Sequence, residues 1–380
     1  MRILFVSNGN GEAAIVERLA KEVLALYPNA QCEQLALVGI PPDNTATLPV
    51  GPQRQLPSGG LIAMGNFRNI VRDLRAGLLG LTFAQRAFLR KSGRSYQAVV
   101  AVGDTYALLM ALQAGSPTIY VGTAKSVYVA PYGPGERTIL RKAVSVFVRD
   151  GATADDLRAK GVACESPGNS IADLYDPDDA RPPYAGTPRI LMLPGSREDA
   201  YDRCVDLVQI VRRIAPDEPN LSGVLSLAPG LSQERFVRTL ETAGFTVLQD
   251  DRDPHIPFRI ALSASSVITG WRGPLGAAIT QATIVLGQAG TANEAAAAAG
   301  IPILAYDSDE HGWYRTRQRG LLGDAVAILT GPFERAAEQM KAILRNPDQR
   351  DRMSQIGRQR MGGRGASKVI AHRIVEIAQR

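Results

Sequence analysis

The sequence has few of the residues that build disulfide frameworks and metal centres. Three cysteines and three histidines are scattered over 380 residues, and no group of them has the spacing of a metal site. An odd number of widely separated cysteines is typical of a reducing compartment. We therefore expect no disulfide bond and no bound metal.

Long apolar runs are also absent. No stretch approaches the roughly 18 apolar residues of a membrane-spanning helix. The apolar run near the N-terminus, residues 3–6, is too short for the core of a signal peptide. These absences predict a cytoplasmic protein, either soluble or attached peripherally to the inner face of the cell membrane.

Lysine is scarce, and arginine supplies most of the positive charge. Only seven of the 43 basic residues are lysines, in a chain of formal net charge +6. A guanidinium group can bind two phosphate oxygens at once, so the excess of arginine over lysine suits an anionic ligand. A bias in genome base composition is an alternative explanation.

Short apolar strands alternate with helices in two series, which a segment rich in proline and aspartate separates at 173–188. Continuous apolar strands that each lead into a helix indicate parallel sheets covered on both faces. The pattern predicts two doubly wound α/β domains, residues 1–175 and 186–350. A long polar helix near 347–380 follows, and its part 351–380 is predicted to pack back on the first domain.

Ligands of open parallel sheets bind at the carboxyl ends of the strands, so the loops after strands carry the candidate residues. The first such loop is Ser7-Asn8-Gly9-Asn10-Gly11-Glu12. Its glycines let backbone amides approach a ligand, and the helix that follows favours an anion. A dinucleotide fingerprint has glycine where Ala14 stands, unless its alanine-tolerant form applies. A plain strand-to-helix turn would account for the glycines but not for Glu12.

Two further loops lie in the second series. In the turn Pro194-Gly195-Ser196-Arg197, the serine can cap a helix and bind a phosphate oxygen, and the arginine supplies charge. In Gly290-Thr291-Ala292-Asn293-Glu294, small residues let a helix N-terminus approach a diphosphate. The carboxylate of Glu294 suits two ribose hydroxyls. The alternative for this loop is a helix capped by Thr291 and Glu294.

These two loops, taken with their order along the chain, resemble those of lipid-A-disaccharide synthase and its relatives in cyanobacteria and Deinococcus-type bacteria. Three more segments are similar to motifs of that group: Val102-Gly103-Asp104, Gly168-Asn169-Ser170-Ile171-Ala172-Asp173 and Gln318-Arg319-Gly320-Leu321-Leu322-Gly323. Ser170 replaces the usual proline, and Asn10 stands where the related subgroup commonly has histidine.

The resemblance implies a GT-B glycosyltransferase with two doubly wound Rossmann-like domains that face a cleft. Such an enzyme moves a hexose or N-acetylhexosamine from a UDP-sugar to a lipid or lipid-linked acceptor, with inversion and without a metal or other cofactor. Asp104 is the expected base, with Glu12 as the alternative, although Asp104 can also be an ordinary helix cap. The expected donor contacts are Gly195, Ser196, Arg197, Gly290, Thr291, Asn293, Glu294 and Gln318. Asn8, Gly9, Asn10 and Gly11 are expected on the acceptor side.

Two other functions fit the same fold. One is a UDP-sugar 2-epimerase, which needs no acceptor, although such enzymes place more acids and histidines around the sugar. The other is a non-catalytic protein that binds a nucleotide sugar or a lipid.

A basic amphipathic stretch runs from residue 67 to residue 94. Its arginines recur at helical spacing, so they share a face beside leucines and phenylalanines: Arg68, Arg72, Arg75, Arg86 and Arg90. Such a face suits an anionic membrane surface, and a pair of core helices with solvated backs is the alternative. Aromatic residues are sparse there and no recognition motif is present, so we do not expect a nucleic-acid partner.

Overall fold

Helix-covered β-sheets form the core of both halves of the protein. The computed structural model describes residues 1–39, 46–54, 77–176, 182, 184–249, 252–307 and 312–380. The chain divides into unit 1, which combines Met1–Leu174 with Gly362–Arg380, and unit 2, which is Tyr175–Met361. The predicted class, two Rossmann-like α/β domains, is confirmed.

Unit 1 contains a parallel sheet in the order β3-β2-β1-β4-β5-β6. The strands are β1 (Arg2–Ser7), β2 (Gln31–Ala36), β3 (Leu48–Pro49), β4 (Ala98–Gly103), β5 (Thr118–Gly122) and β6 (Ser145–Val148). Residues 3–6 of β1 are completely buried, as expected for an apolar strand covered on both faces. Ser7 pairs with Val102, and Gly103 with Gly122, so the carboxyl ends of β1, β4 and β5 lie at one edge.

In the described part of unit 1, five helices follow these strands: α1 (Asn10–Leu26), α2 (Leu78–Ser92), α3 (Thr105–Ala111), α4 (Pro134–Leu140) and α5 (Gly151–Ala159). Helix α1 begins at Asn10, inside the glycine loop. Its N-cap is Gly9, whose φ of 138° is one that residues with a Cβ rarely adopt. The residues after β1 therefore enter the helix almost at once, which brings Glu12 back over the sheet edge.

Unit 2 contains a sheet in the order β14-β13-β12-β7-β8-β11-β10-β9. Its strands are β7 (Arg189–Leu193), β8 (Ser222–Ser226), β9 (Val247–Gln249), β10 (Phe258–Ala261), β11 (Val267–Trp271), β12 (Ile284–Gly287), β13 (Ile303–Asp307) and β14 (Val326–Thr330). β10 runs antiparallel to β9 and β11, and the other pairs are parallel. The helices are α6 (Ala200–Ile214), α7 (Gln233–Thr242), α8 (Gly276–Thr280), α9 (Thr291–Ala299), α10 (Gly312–Leu322), α11 (Phe333–Leu344) and α12 (Pro347–Met361).

The C-terminal segment forms two helices, so the prediction of one long helix near 347–380 is wrong. Helix α12 belongs to unit 2, and α13 (Ala366–Ala378) belongs to unit 1, where it packs against α1. The helical path is interrupted at Gly362 and Gly365, whose φ values are 74° and 105°. Glycine tolerates this region of φ. None of the described helices is long and apolar enough to cross a membrane.

Candidate functional site

The two loops of the second series begin side by side at one edge of the unit 2 sheet. Strands β7 and β12 pair in parallel with Gly287 opposite Leu193. The N–H of Gln288 also donates to the carbonyl of Leu193, at 2.7 Å. The turn after β7 and the loop after β12 therefore leave the sheet together, as ligand-binding loops of α/β sheets do.

The turn after β7 presents a serine and an arginine to solvent. Gly195 has a φ of 117°, and Ser196 and Arg197 are exposed. Ser196 does not cap the following helix, because α6 starts at Ala200 and its N-cap is Asp199. Its hydroxyl is therefore not engaged as the cap that the sequence suggested.

A second arginine, not anticipated from the sequence, lies beneath this turn. Arg203 forms an ion pair with Asp199 at 2.7 Å. A Cβ on Gly195 would lie 3.7 Å from the Arg203 Nη1 atom. The turn thus combines the exposed guanidinium of Arg197, which favours an anion, with the partly buried guanidinium of Arg203, whose charge Asp199 offsets.

Helix α9 starts without a side-chain cap. Its N-cap is Gly290, and Thr291 is its first residue. The box formed by Thr291 and Glu294, the alternative for this loop, is therefore not the cap. No described residue accepts a hydrogen bond from the backbone N–H of Thr291 or Ala292. Such first-turn N–H groups, together with the helix dipole, attract anions.

Two of the residues predicted to contact the UDP-sugar are buried, and their side chains form hydrogen bonds with the loop itself. Asn293 is completely buried, and its Nδ2 donates to the Gly287 carbonyl at 3.0 Å. Gln318 is 6% exposed, and its Nε2 donates to the Ala289 carbonyl at 3.2 Å. In contrast, Glu294 and Thr291 are half-buried in the first turn of α9, at the mouth of the loop.

In unit 1 the predicted base lies at the carboxyl end of β4. Asp104 is the N-cap of α3: its Oδ1 accepts from the Ala107 N–H at 3.0 Å, and its Oδ2 accepts from Asn8 Nδ2 at 3.0 Å. The turn before it is held from below, because the buried Tyr120 hydroxyl donates to the Gly103 carbonyl at 3.1 Å. Asp104 is therefore both a structural cap and a carboxylate fixed at the sheet edge.

Glu12 reaches the same edge from α1. A Cβ on Gly9 would lie 2.7 Å from its Oε2 atom, and one on Gly103 would lie 3.1 Å from its Cγ atom. The Thr123 hydroxyl, after β5, donates to Glu12 Oε1 at 3.4 Å. The two glycines leave room for this side chain, so the structure brings Glu12, Asn8 and Asp104 together.

A third carboxylate near this edge escaped the sequence analysis. Glu136 accepts from Lys125 Nζ at 2.5 Å, from the Gly133 N–H at 2.8 Å and from the Thr105 hydroxyl at 3.1 Å. Burial alone would raise the pKa of Glu136, but these donors outweigh it and lower the pKa below 4.5. Glu136 is therefore held as an anion that anchors Thr105, the neighbour of Asp104. Its place in the first turn of α4, the helix that follows β5, was the available signal.

The remaining residues predicted on the acceptor side fall partly inside and partly outside the described residues. Gly11 lies in the first turn of α1 beside Glu12. The arginines 68, 72 and 75 and the side chain of Asn10 lie outside the described residues. Arg86 and Arg90 belong to α2, where Arg90 donates to Gln113. On the same helix Leu79 and Phe83 are 59% and 66% exposed. Among the described residues, no three His, Cys, Asp or Glu side chains are grouped closely enough to hold a metal.

No protein-family model matches the chain. A lipid-A-disaccharide synthase from Myxococcus xanthus is 25% identical over 141 residues, which are 35% of this chain and 36% of that protein. The chain therefore aligns with about a third of the length of this curated relative.

Solved structures resemble the chain over its whole length. MurG from Acinetobacter baumannii has a TM-score of 0.58 at 17% identity and covers 99% of both chains. A UDP-GlcNAc 2-epimerase from Neisseria meningitidis, solved with UDP-GlcNAc, has a TM-score of 0.57 at 13% identity; 99% of this chain and 100% of that chain are covered. At these identities the likeness shows the fold alone. The protein has the GT-B type of fold, which sugar-transferring and sugar-epimerising enzymes share.

Proposed function

We propose that the protein is an inverting glycosyltransferase that moves a hexose or N-acetylhexosamine from a UDP-sugar to a lipid or lipid-linked acceptor. The observation that carries this proposal is the pairing of two anion-favouring loops at one sheet edge of unit 2. One loop presents Arg197 and the other presents the uncapped N-terminus of α9, with Glu294 one turn in. A diphosphate followed by a ribose matches this order of groups.

In the proposed reaction the donor loops stabilise the leaving group. The acceptor hydroxyl oxygen attacks the anomeric carbon, the bond from that carbon to the diphosphate oxygen breaks, and UDP departs with the electron pair. Arg197, Ser196 and the first N–H groups of α9 stabilise the negative charge that develops on UDP. Following the resemblance, no metal takes part in this step.

The acceptor proton goes to a carboxylate at the sheet edge of unit 1. Asp104 and Glu12 both lie there, and either carboxylate suits a general base for a hydroxyl. Asp104 is our first choice because Asn8 and the Ala107 N–H hold it in one orientation. A general base works best when its position is fixed before the substrate arrives.

The lipid nature of the acceptor rests on two observations. The partial relative is a lipid-A-disaccharide synthase, and α2 exposes Leu79 and Phe83 close to Arg86 and Arg90. Such a face binds the inner, anionic surface of a membrane through apolar contact and charge. The wild-type protein should therefore sediment with vesicles of anionic lipid. Most of this sedimentation should be lost when Phe83 is replaced by serine and Arg86 by glutamate. Equal sedimentation of wild type and variant would contradict this part of the proposal.

An epimerase is the second candidate, because a UDP-GlcNAc 2-epimerase has the same fold. An epimerase changes the sugar without an acceptor, whereas a transferase releases UDP only when the acceptor is present. Incubation of the protein with UDP-N-acetylglucosamine, with and without bacterial lipid extract, separates the two. The proposal predicts UDP and a labelled glycolipid only with extract. A sugar epimer formed by protein alone would establish the other function.

A further inference from the structure

The loop between β12 and α9 is tied to unit 2 through its carbonyl oxygens. The Gly287 carbonyl accepts from Asn293 Nδ2 at 3.0 Å, and the Ala289 carbonyl accepts from Gln318 Nε2 at 3.2 Å. The Gly290 carbonyl accepts from the Glu294 N–H at 3.1 Å. Three of the four carbonyls from residue 287 to residue 290 are thus engaged within the fold.

The Gln318 side chain is itself fixed. It is 6% exposed, and its Oε1 accepts from Nη1 of Arg315, one turn earlier on α10, at 3.5 Å. Arg315 is 3% exposed. The guanidinium can only donate, so it sets which end of the Gln318 amide faces Ala289. The amide nitrogen of Gln318 therefore points at the loop because the arginine holds its oxygen.

The Asn293 side chain occupies space that only a glycine leaves open. A Cβ on Gly287 would lie 2.0 Å from the Asn293 Oδ1 atom, so Asn293 in this position requires glycine at residue 287. Both amide side chains therefore act on the backbone of the loop from within the fold, and neither is placed at its exposed mouth.

We infer that Gln318 and Asn293 are positioning residues of the donor site and do not touch the donor themselves. Their side chains engage the carbonyl groups of the loop. The polar backbone groups that remain available to the diphosphate are then the N–H groups in the first turn of α9. This inference rests on the proposed function of the loop and assigns the two residues a different part from the direct contact that the sequence suggests. Because these N–H groups are held in place before the nucleotide arrives, less entropy is lost when it binds.

The test replaces Gln318 by methionine, which has nearly the same shape but no N–H donor. UDP affinity, measured by calorimetry, should fall about tenfold, the equivalent of one lost hydrogen bond. Gln85→Met is the matched control. Gln85 is 1% exposed in unit 1, and its Nε2 donates to the Leu37 carbonyl at 3.0 Å. Gln85→Met should lower the melting temperature like Gln318→Met but leave UDP affinity within about twofold.

A second measurement needs no nucleotide. In the free protein, hydrogen exchange of the peptide 288–297 should be faster in Gln318→Met than in Gln85→Met, because the loop and the first turn of α9 open more often. Equal exchange in the two variants would overturn the inference, as would wild-type UDP affinity in Gln318→Met or an equal loss of affinity in Gln85→Met. Failure of the wild type to bind UDP would instead refute the proposed function, since the exchange result stands without it.

Discussion

Replacing Asp104 by asparagine and by alanine separates its two roles. Asparagine is as good an N-cap as aspartate, so it keeps the bond from the Ala107 N–H. The Oδ1 atom of Asn8 is buried without a hydrogen-bond partner among the described residues. Rotation of the Asn8 amide would let this oxygen accept from the new amide at 104. We therefore expect Asp104→Asn to change the free energy of unfolding by less than about 0.5 kcal/mol.

Asp104→Ala removes both contacts. Loss of the cap costs about 1 kcal/mol, and loss of the acceptor for Asn8 costs about 1 kcal/mol more, so unfolding by urea should show a loss of about 2 kcal/mol. Alanine and asparagine should nevertheless lower kcat alike, by about 10²- to 10⁴-fold, because neither side chain can take the acceptor proton.

The assay is UDP release in the presence of lipid extract, read beside UDP affinity for each variant. Both variants should bind UDP like the wild type, because Asp104 lies in the unit that we assign to the acceptor. Asp104→Asn with nearly full turnover would refute Asp104 as the base. A matching loss in Glu12→Gln would then assign the base to Glu12.

Three further predictions address other contacts. Arg197→Ala and Glu294→Ala should each weaken UDP binding at least tenfold in calorimetry; unchanged affinity in both would refute the donor site. Asp173 is 3% exposed and accepts from the Gly365 and Ser367 N–H groups at 2.7 and 2.8 Å. Asp173→Ala should therefore cost about 2–4 kcal/mol of unfolding free energy and expose 362–365 to protease; a wild-type urea midpoint would contradict this. Because the pKa of Glu136 is lowered in the fold, Glu136→Gln should be less stable than wild type at pH 7. That difference should shrink as pH falls below 4.5, and a difference independent of pH would refute the ion pair.

The two loops of the proposed donor site can be located from the sequence because their signals are local. The apolar strands β7 and β12 each end in a glycine-containing turn, and parallel-sheet topology places such turns at one edge. The roles of Asn293 and Gln318 were not accessible. Polar residues in a candidate loop suggest ligand contact, and only the folded structure shows Asn293 completely buried against Gly287.

Strand β2 has no continuous apolar run, so the apolar pattern of the sequence does not predict it. In β2, Glu33 is buried because Arg2 and Tyr96 bind its carboxylate, at 2.8 and 2.5 Å. Gln34 is buried because it donates to Ser7. These partners are distant in sequence, so a pattern based on apolar runs does not find the strand. For the same reason, the contact of Glu12 with Thr123, 111 residues away, became visible only in the fold.

The most direct test of the central claim is a crystal structure of the protein with UDP. The account predicts the diphosphate against the Thr291 and Ala292 N–H groups and Arg197, with the ribose hydroxyls on the carboxylate of Glu294. UDP bound at the glycine loop after β1, or bound in unit 2 away from α9, would contradict it.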